Sequence, residues 1–254
     1  MVIFIRLRRD SIGLCRICNL KNETGGTNLM DIKKNEENLS IDKKIIYFFK
    51  KPGIVFNEFI EKPKYLWTMI LIILINIIYG IMQTTTSMDI LKKSITDKFK
   101  GADADTSQAL IEKSMEYAAS IPIHTVTIII TTIMSIYLAS LVYMGLARIF
   151  ASKIKYKQIV SVYCLSMLPI IIGKVIKWLY MAITGNPVGV KTLAEPTLLN
   201  GFLDNFDIFN IWQIVLLTIG ISVVGKISKK KSFAIVAICW IFVMIISLHS
   251  YFKF

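Results

Sequence analysis

Lys174 and Lys177 are the residues of this chain most able to do chemistry, because both lie inside a long apolar run. Three positions apart on a helix, they share one face. Ionised groups at membrane depth are costly and mark sites or pathways by default. The chemistry they offer is a cationic site. Asp204 and Asp207, beside the next apolar run, are the acids placed to pair with it. The plainer alternative is that both lysines snorkel to the outer interface beside Trp178 and Tyr180. Pro169 lies in the same run, removes a backbone hydrogen bond and is expected to kink it. A pathway, if this chain has one, would pass near Pro169 and Lys174.

Other reactive side chains lack partners at useful spacing. Cys15-Arg16-Ile17-Cys18 could be a redox pair or half of a zinc site. Zinc needs two further ligands, and the other cysteines, Cys164 and Cys239, fall inside apolar runs as packing residues. His124 and His249 have no carboxylate or ligand at catalytic spacing and read as interfacial side chains. H-E-x-x-H, G-x-S-x-G and P-loop patterns do not occur. Carboxylates inside the apolar runs, which an intramembrane protease or proton pump would need, are missing as well. The expectation is a chain with no catalytic residues, no metal and no cofactor.

The elements that must position Lys174 and Lys177 are apolar helices. Five runs, 65–84, 121–147, 159–183, 208–225 and 233–251, are apolar all round, and most can cross about 30 Å of hydrocarbon at about 1.5 Å per residue. Composition agrees, with 54% hydrophobic residues and a net charge of +13 in 254 residues. That charge sits in alternate loops. Lys43, Lys44, Lys50, Lys51, Lys62 and Lys64 precede the first run. Arg148, Lys153, Lys155 and Lys157 follow the second; Lys226, Lys229, Lys230 and Lys231 follow the fourth. The remaining two loops mix bases with acids. The bias places the N-terminus in the cytoplasm and the C-terminus outside the cell membrane. It also predicts anionic lipids as partners at the cytoplasmic face. Nucleic acid is not expected, since exposed aromatics interleaved with the basic clusters are missing. Tyr65 and Trp67, Trp178 and Tyr180, and Trp212 are expected as interfacial belts. In span two, Thr125, Thr127, Thr131, Thr132 and Ser135 are expected to bond their own backbone or a neighbouring helix. The acids of the loop 88–117 belong to an amphipathic helix with a solvated face.

Between the N-terminal segment and the first run, residues 40–64 read as a helical hairpin. Ser40 or Asp42 can cap a first short helix carrying Ile45, Ile46, Phe48 and Phe49. Pro52-Gly53 breaks the chain. A second helix presents Val55, Phe56, Phe59 and Ile60, with Glu58 and Glu61 opposite, and Pro63 ends it. A basic amphipathic hairpin before a span lies either in the membrane interface or packed under the bundle.

Three patterns now carry a family resemblance. The first is Pro52, Phe56, Lys62 and Pro63 before the first span. The second runs over 147–169, from a small-residue span end through a basic turn to Ser166-Met167-Leu168-Pro169. The third is Asp207, Phe209 and Trp212, followed by a Gly220-containing span and a Ser-Lys-Lys-Lys turn. In order and spacing they resemble the Yip family of membrane proteins, named for interaction with Ypt/Rab GTPases. The resemblance implies five spans and a cytoplasmic N-terminus. It links eukaryotic members to vesicle trafficking. The Ile- and Lys-rich composition points to an AT-rich bacterial genome, and bacterial members have no Rab partners; some are associated with ABC-type exporters. Lys174 and Lys177 fall where the family pattern is mostly apolar.

The resulting reading is an all-α, five-span membrane bundle over 65–254, preceded by a cytoplasmic segment with amphipathic helices over 30–64. Its function is that of a non-enzymatic accessory or scaffold, partnered by another membrane protein or by itself. The alternative is a transporter or transporter subunit. Residues 1–29 are expected to be an untranslated leader or a disordered segment, because Gly25-Gly26 can be encoded as a ribosome-binding sequence just before Met30. N-terminal sequencing of the native protein is expected to read from Met30; a chain beginning at Met1 contradicts this.

Overall fold

In the computed structural model, residues 41–98, 104–150, 152–188 and 207–249 are described. The chain divides into two compact units with a boundary between Ile46 and Tyr47. Of the first unit only 41–46, the opening turns of a helix, are described. All regular elements among the described residues are helices. They are α1 (Ile41–Lys50), α2 (Pro52–Glu61), α3 (Leu66–Thr86), α4 (Met88–Lys98) and α5 (Ala104–Ala119). There follow α6 (Ile121–Ile149), α7 (Tyr156–Ser166), α8 (Leu168–Thr184), α9 (Ile208–Gly225) and α10 (Lys229–His249).

Among the described residues, four stretches are long and apolar enough to cross a membrane: α3, α6, α7 with α8, and α9. α10 is a fifth apolar helix of 21 residues, with its lysines confined to the first turn. The protein is an all-α membrane bundle. The expected continuous helix over 88–117 is instead two helices, α4 and α5, and the sequence between them contains Gly101, a helix-weakening residue.

The third span is the hub. Half of its most apolar stretch is buried inside the protein, against 11% for α3 and 17% for α6. α8 packs on α3 and α9, while α7 packs on α6, α9 and α2. The span breaks at Met167, as Pro169 leads one to expect. The Met167 amide turns back to Tyr163 O at 3.1 Å and Cys164 O at 3.2 Å, and α8 resumes with the proline in its first turn. Proline is tolerated there because a first-turn amide would have no helical partner.

The second helix of the hairpin packs into the bundle. Pro52 opens α2, and the Lys62 amide closes it on Glu58 O at 3.0 Å just before Pro63. Phe56 is fully buried. Its ring lies against Gly220 of α9, where an added Cβ would stand 3.0 Å from the ring and 2.5 Å from Val162 of α7. Gln158 fixes the other end. It donates to Ile60 O at 2.7 Å and accepts from the Lys155 amide at 2.8 Å.

Trp212, expected in an interfacial belt, packs on the hairpin. It is partly buried, with the rings of Phe48 and Phe49 at 6.2 and 5.2 Å. Gly53 meanwhile faces Val223 at 3.7 Å. The hairpin therefore follows α9 from Val223 to Trp212, about 16 Å at helical rise.

These contacts rank two glycines. Gly220→Val is expected to destabilise the bundle by about 1–3 kcal/mol through overpacking. Gly53→Ala, whose new methyl would meet only ordinary contacts of 3.7 and 3.9 Å, is expected to leave stability unchanged or slightly raised. Thermal unfolding of both variants in detergent checks the order; equal effects contradict it.

Candidate functional site

The two lysines of α8 part company in the structure. Lys177 forms an ion pair with Asp207 at 2.7 Å. Asp207 is the N-cap of α9, where its other carboxylate oxygen accepts the Phe209 amide at 3.1 Å. One side chain thus caps a helix and ties it to its neighbour. Phe209 completes the junction by lying on Gly173, where an added Cβ would stand 2.5 Å from the ring. The pair is partly exposed, at 37% for Lys177 and 22% for Asp207, so its value is positional more than energetic. Burial raises the Asp207 carboxyl pKa, but hydrogen bonds from Lys177 and the Phe209 amide, with the lysine's charge, leave it below its ordinary value. Asp204, the other expected acid, lies outside the described residues.

Lys174 does not share Asp207 with Lys177. Its Nζ donates to Asn76 Oδ1 of α3 at 2.6 Å and stands 5.6 Å from the centre of the Tyr79 ring. The Asn76 amide donates onward to Thr132 Oγ1 of α6 at 3.2 Å. The chain Lys174–Asn76–Thr132 joins three spans. Side chains on a helix lean toward its N-terminus. From its backbone position Lys174 accordingly leans back toward the kink at Pro169. Asn76 carries no charge that would mark it in the sequence. The available signal was the i, i+3, i+7 spacing of Asn76, Tyr79 and Gln83, a polar stripe on an otherwise apolar helix.

The remaining candidates have structural places. Pro169 is fully buried in the kink. His124 is hydrogen-bonded to Thr84 Oγ1 at 3.0 Å, linking the ends of α3 and α6. Thr127 and Thr131 bond their own helix backbone, as expected of span-two hydroxyls. Cys164 is buried among apolar side chains. The side chain of His249 is outside the described residues.

An all-helical bundle with spans this apolar, organised around a broken central helix, is a multi-pass membrane protein. The family model described as the Yip1 domain matches residues 46–251, and the chain belongs to that family. The match takes in α2 through α10. A curated relative, "Membrane protein YknW" of Bacillus subtilis (strain 168), is 25% identical over 228 residues, covering 87% of this chain and 95% of its own. No solved structure gives a significant match.

The junction of α8 and α9 yields a pH-dependent expectation. A carboxyl whose folded pKa is depressed stabilises the fold above its unfolded value, near 3.9, and that contribution is lost as pH falls through the folded value. Asp207→Ala is expected to cost about 1 kcal/mol at neutral pH through the lost cap. The deficit should shrink below about pH 4. Thermal unfolding in detergent at pH 7 and pH 3 reads both arms; a deficit that grows in acid contradicts the assignment.

Proposed function

We propose that this chain is a non-enzymatic accessory or scaffold of the cell membrane, serving another membrane system such as an ABC-type exporter. The carrying observation is the closure of the central span. Pro169 is fully buried, Gly173 is covered by Phe209, and α7 with α8 is enclosed by α2, α3, α6 and α9. A kink plugged in this way favours a packed scaffold over a transport path. The outward faces of α3, α6 and α10 carry large exposed apolar side chains, including Leu74, Met134 and Phe242. Such faces suit lipid, another membrane protein or a second copy of this chain.

In this reading the N-terminus is cytoplasmic and the C-terminus extracytoplasmic. Ser152 Oγ donates to Gly225 O at 3.0 Å, which brings the basic turns after α6 and α9 side by side. Lys153, Lys155 and Lys157 then gather with Lys226 and Lys229 at one end of the bundle. A basic end of that kind faces the cytoplasm and attracts anionic lipid headgroups.

The test is purification of the tagged full-length chain from native membranes in mild detergent. A second membrane protein is expected in stoichiometric amount, and vesicles holding the chain alone should move no solute. Solute flux driven by the purified chain alone contradicts the scaffold reading and favours a transporter. A cysteine placed at the C-terminus is expected to react with an impermeant thiol reagent on intact cells.

A further inference from the structure

We propose that Arg148, with the exposed notch at Gly145 one turn before it, binds one anionic phospholipid of the cytoplasmic leaflet. The lipid phosphate sits on the guanidinium, and an acyl chain lies along α6. The proposal deepens the reading of the basic end of the bundle as the cytoplasmic one and rests on it.

The glycine comes first. A glycine inside a helix costs about 1 kcal/mol relative to alanine, and three glycines of the spans show what that cost permits. An added Cβ would stand 2.5 Å from Ile128 at Gly80, from Phe209 at Gly173 and from Val162 at Gly220. In each case a neighbouring helix lies where a side chain would be. Gly145 of α6 differs. It is exposed, and nothing among the described residues stands within 4 Å of its Cβ position. The notch is open to whatever lies beside α6 in the membrane.

The surroundings of the notch describe its occupant. Met134, Leu138, Leu141, Gly145 and Arg148 follow at spacings of four, three, four and three. At about 100° per residue they fall within about 80° of one another on the helix surface. All five are exposed. From Leu138 to Arg148 is about 15 Å at helical rise, about half of a bilayer's hydrocarbon core. An acyl chain laid over Gly145 therefore meets leucine across the depth of one leaflet, and its phosphate arrives at Arg148. Arg148 is the only arginine beyond Arg16 in a chain otherwise charged with lysine. Its planar fork donates two parallel N–H bonds to a phosphate, which the point charge of lysine does not. Lys153, Lys155 and Lys157 follow, all exposed, with no acid between Arg148 and Lys157. They add attraction for an anion at the membrane surface.

Charge also decides against a second copy on this face. Two copies in one membrane are parallel, so a two-fold pair through α6 would set Arg148 beside its mate, each followed by its own three lysines. A lipid phosphate brings the opposite charge to the same place.

The full-length chain in mild detergent is mixed with equal amounts of phosphatidylglycerol and phosphatidylcholine of identical acyl chains, and retained lipid is counted by native mass spectrometry. One phosphatidylglycerol per chain is expected to be held about tenfold more tightly than phosphatidylcholine. Arg148→Gln is expected to remove the preference, Arg148→Lys to weaken it, and Lys92→Gln in α4 to leave it unchanged. Gly145→Leu is expected to lower retention of that lipid. Leucine is a better helix former than glycine at an exposed position, so this loss is separable from loss of fold by thermal unfolding. Equal retention of the two lipids by the unaltered chain overturns the proposal. So does a preference that survives in Arg148→Gln or in Gly145→Leu, or one that excess inorganic phosphate displaces, since the acyl chain then contributes nothing. A native membrane protein lost in Gly145→Leu, with phosphatidylglycerol retained, assigns the face to a protein helix and also overturns it. Micelles have no sidedness. An Arg148-dependent preference in a chain whose C-terminal cysteine is unreactive on intact cells therefore upholds the site and overturns the orientation alone.

Discussion

Pro169 has no amide proton to return to the carbonyl four residues back, and in hydrocarbon no water can take its place. A break in the middle of a span must therefore be enclosed by protein. That requirement explains why the third span is half buried, against a third or less for α3, α6 and α9. It also explains what surrounds it. α2 brings Phe56 against α7, Gly220 lets α9 approach that ring, and Phe209 fills the space over Gly173. The small residues at these crossings allow close approach, which is how helices pack once lipid offers no hydrophobic drive to associate. α3 and α6 have no such break to cover, and they keep most of their surface for lipid.

Polar groups then hold the packed helices in register, each at a different level. Gln158 ties α7 to α2 through Ile60 O at the basic end, beside the Ser152 bond to Gly225 O. Lys177 and Asp207 tie α8 to α9 at the opposite end, where solvent can reach them. Lys174, Asn76 and Thr132 tie α8, α3 and α6 between these ends. The two terminal ties satisfy groups that helix ends leave open, namely a cap and a turn carbonyl. The middle tie satisfies no such group. It joins three spans through side chains alone, which sets it apart from the others.

Most of the architecture was legible because it follows from composition and punctuation. Apolar runs near span length, Pro52 and Pro63 around α2, and Asp207 before α9 each act locally, and local signals survive in a sequence. Contacts between runs were less legible. Nothing near Trp212 in the sequence announces Phe48 and Phe49, since only the path of the hairpin along α9 brings those rings within 6.2 and 5.2 Å. Lys177 with Asp207 could be anticipated because both charges are visible. Lys174 with Asn76 could not, because an amide at 98 residues' separation gives no electrostatic hint. Direction along the helix was the useful missing rule. A lysine side chain leans toward the N-terminus of its own helix, so Lys174 was bound to point inward from its backbone position.

The residues that carry the family resemblance and the residues that carry the unusual charge now fall into separate roles. Pro52, Phe56, Lys62 and Pro63 begin, bury and end α2. Pro169 sets the kink, and Asp207, Phe209 and Trp212 seat α9 against α8 and the hairpin. Each is used up by the fold. A fold motif of this kind specifies how a bundle closes, and closure by itself selects no partner. Selection needs a feature that the closed bundle leaves unsatisfied, because only such a feature makes one neighbouring helix preferable to lipid.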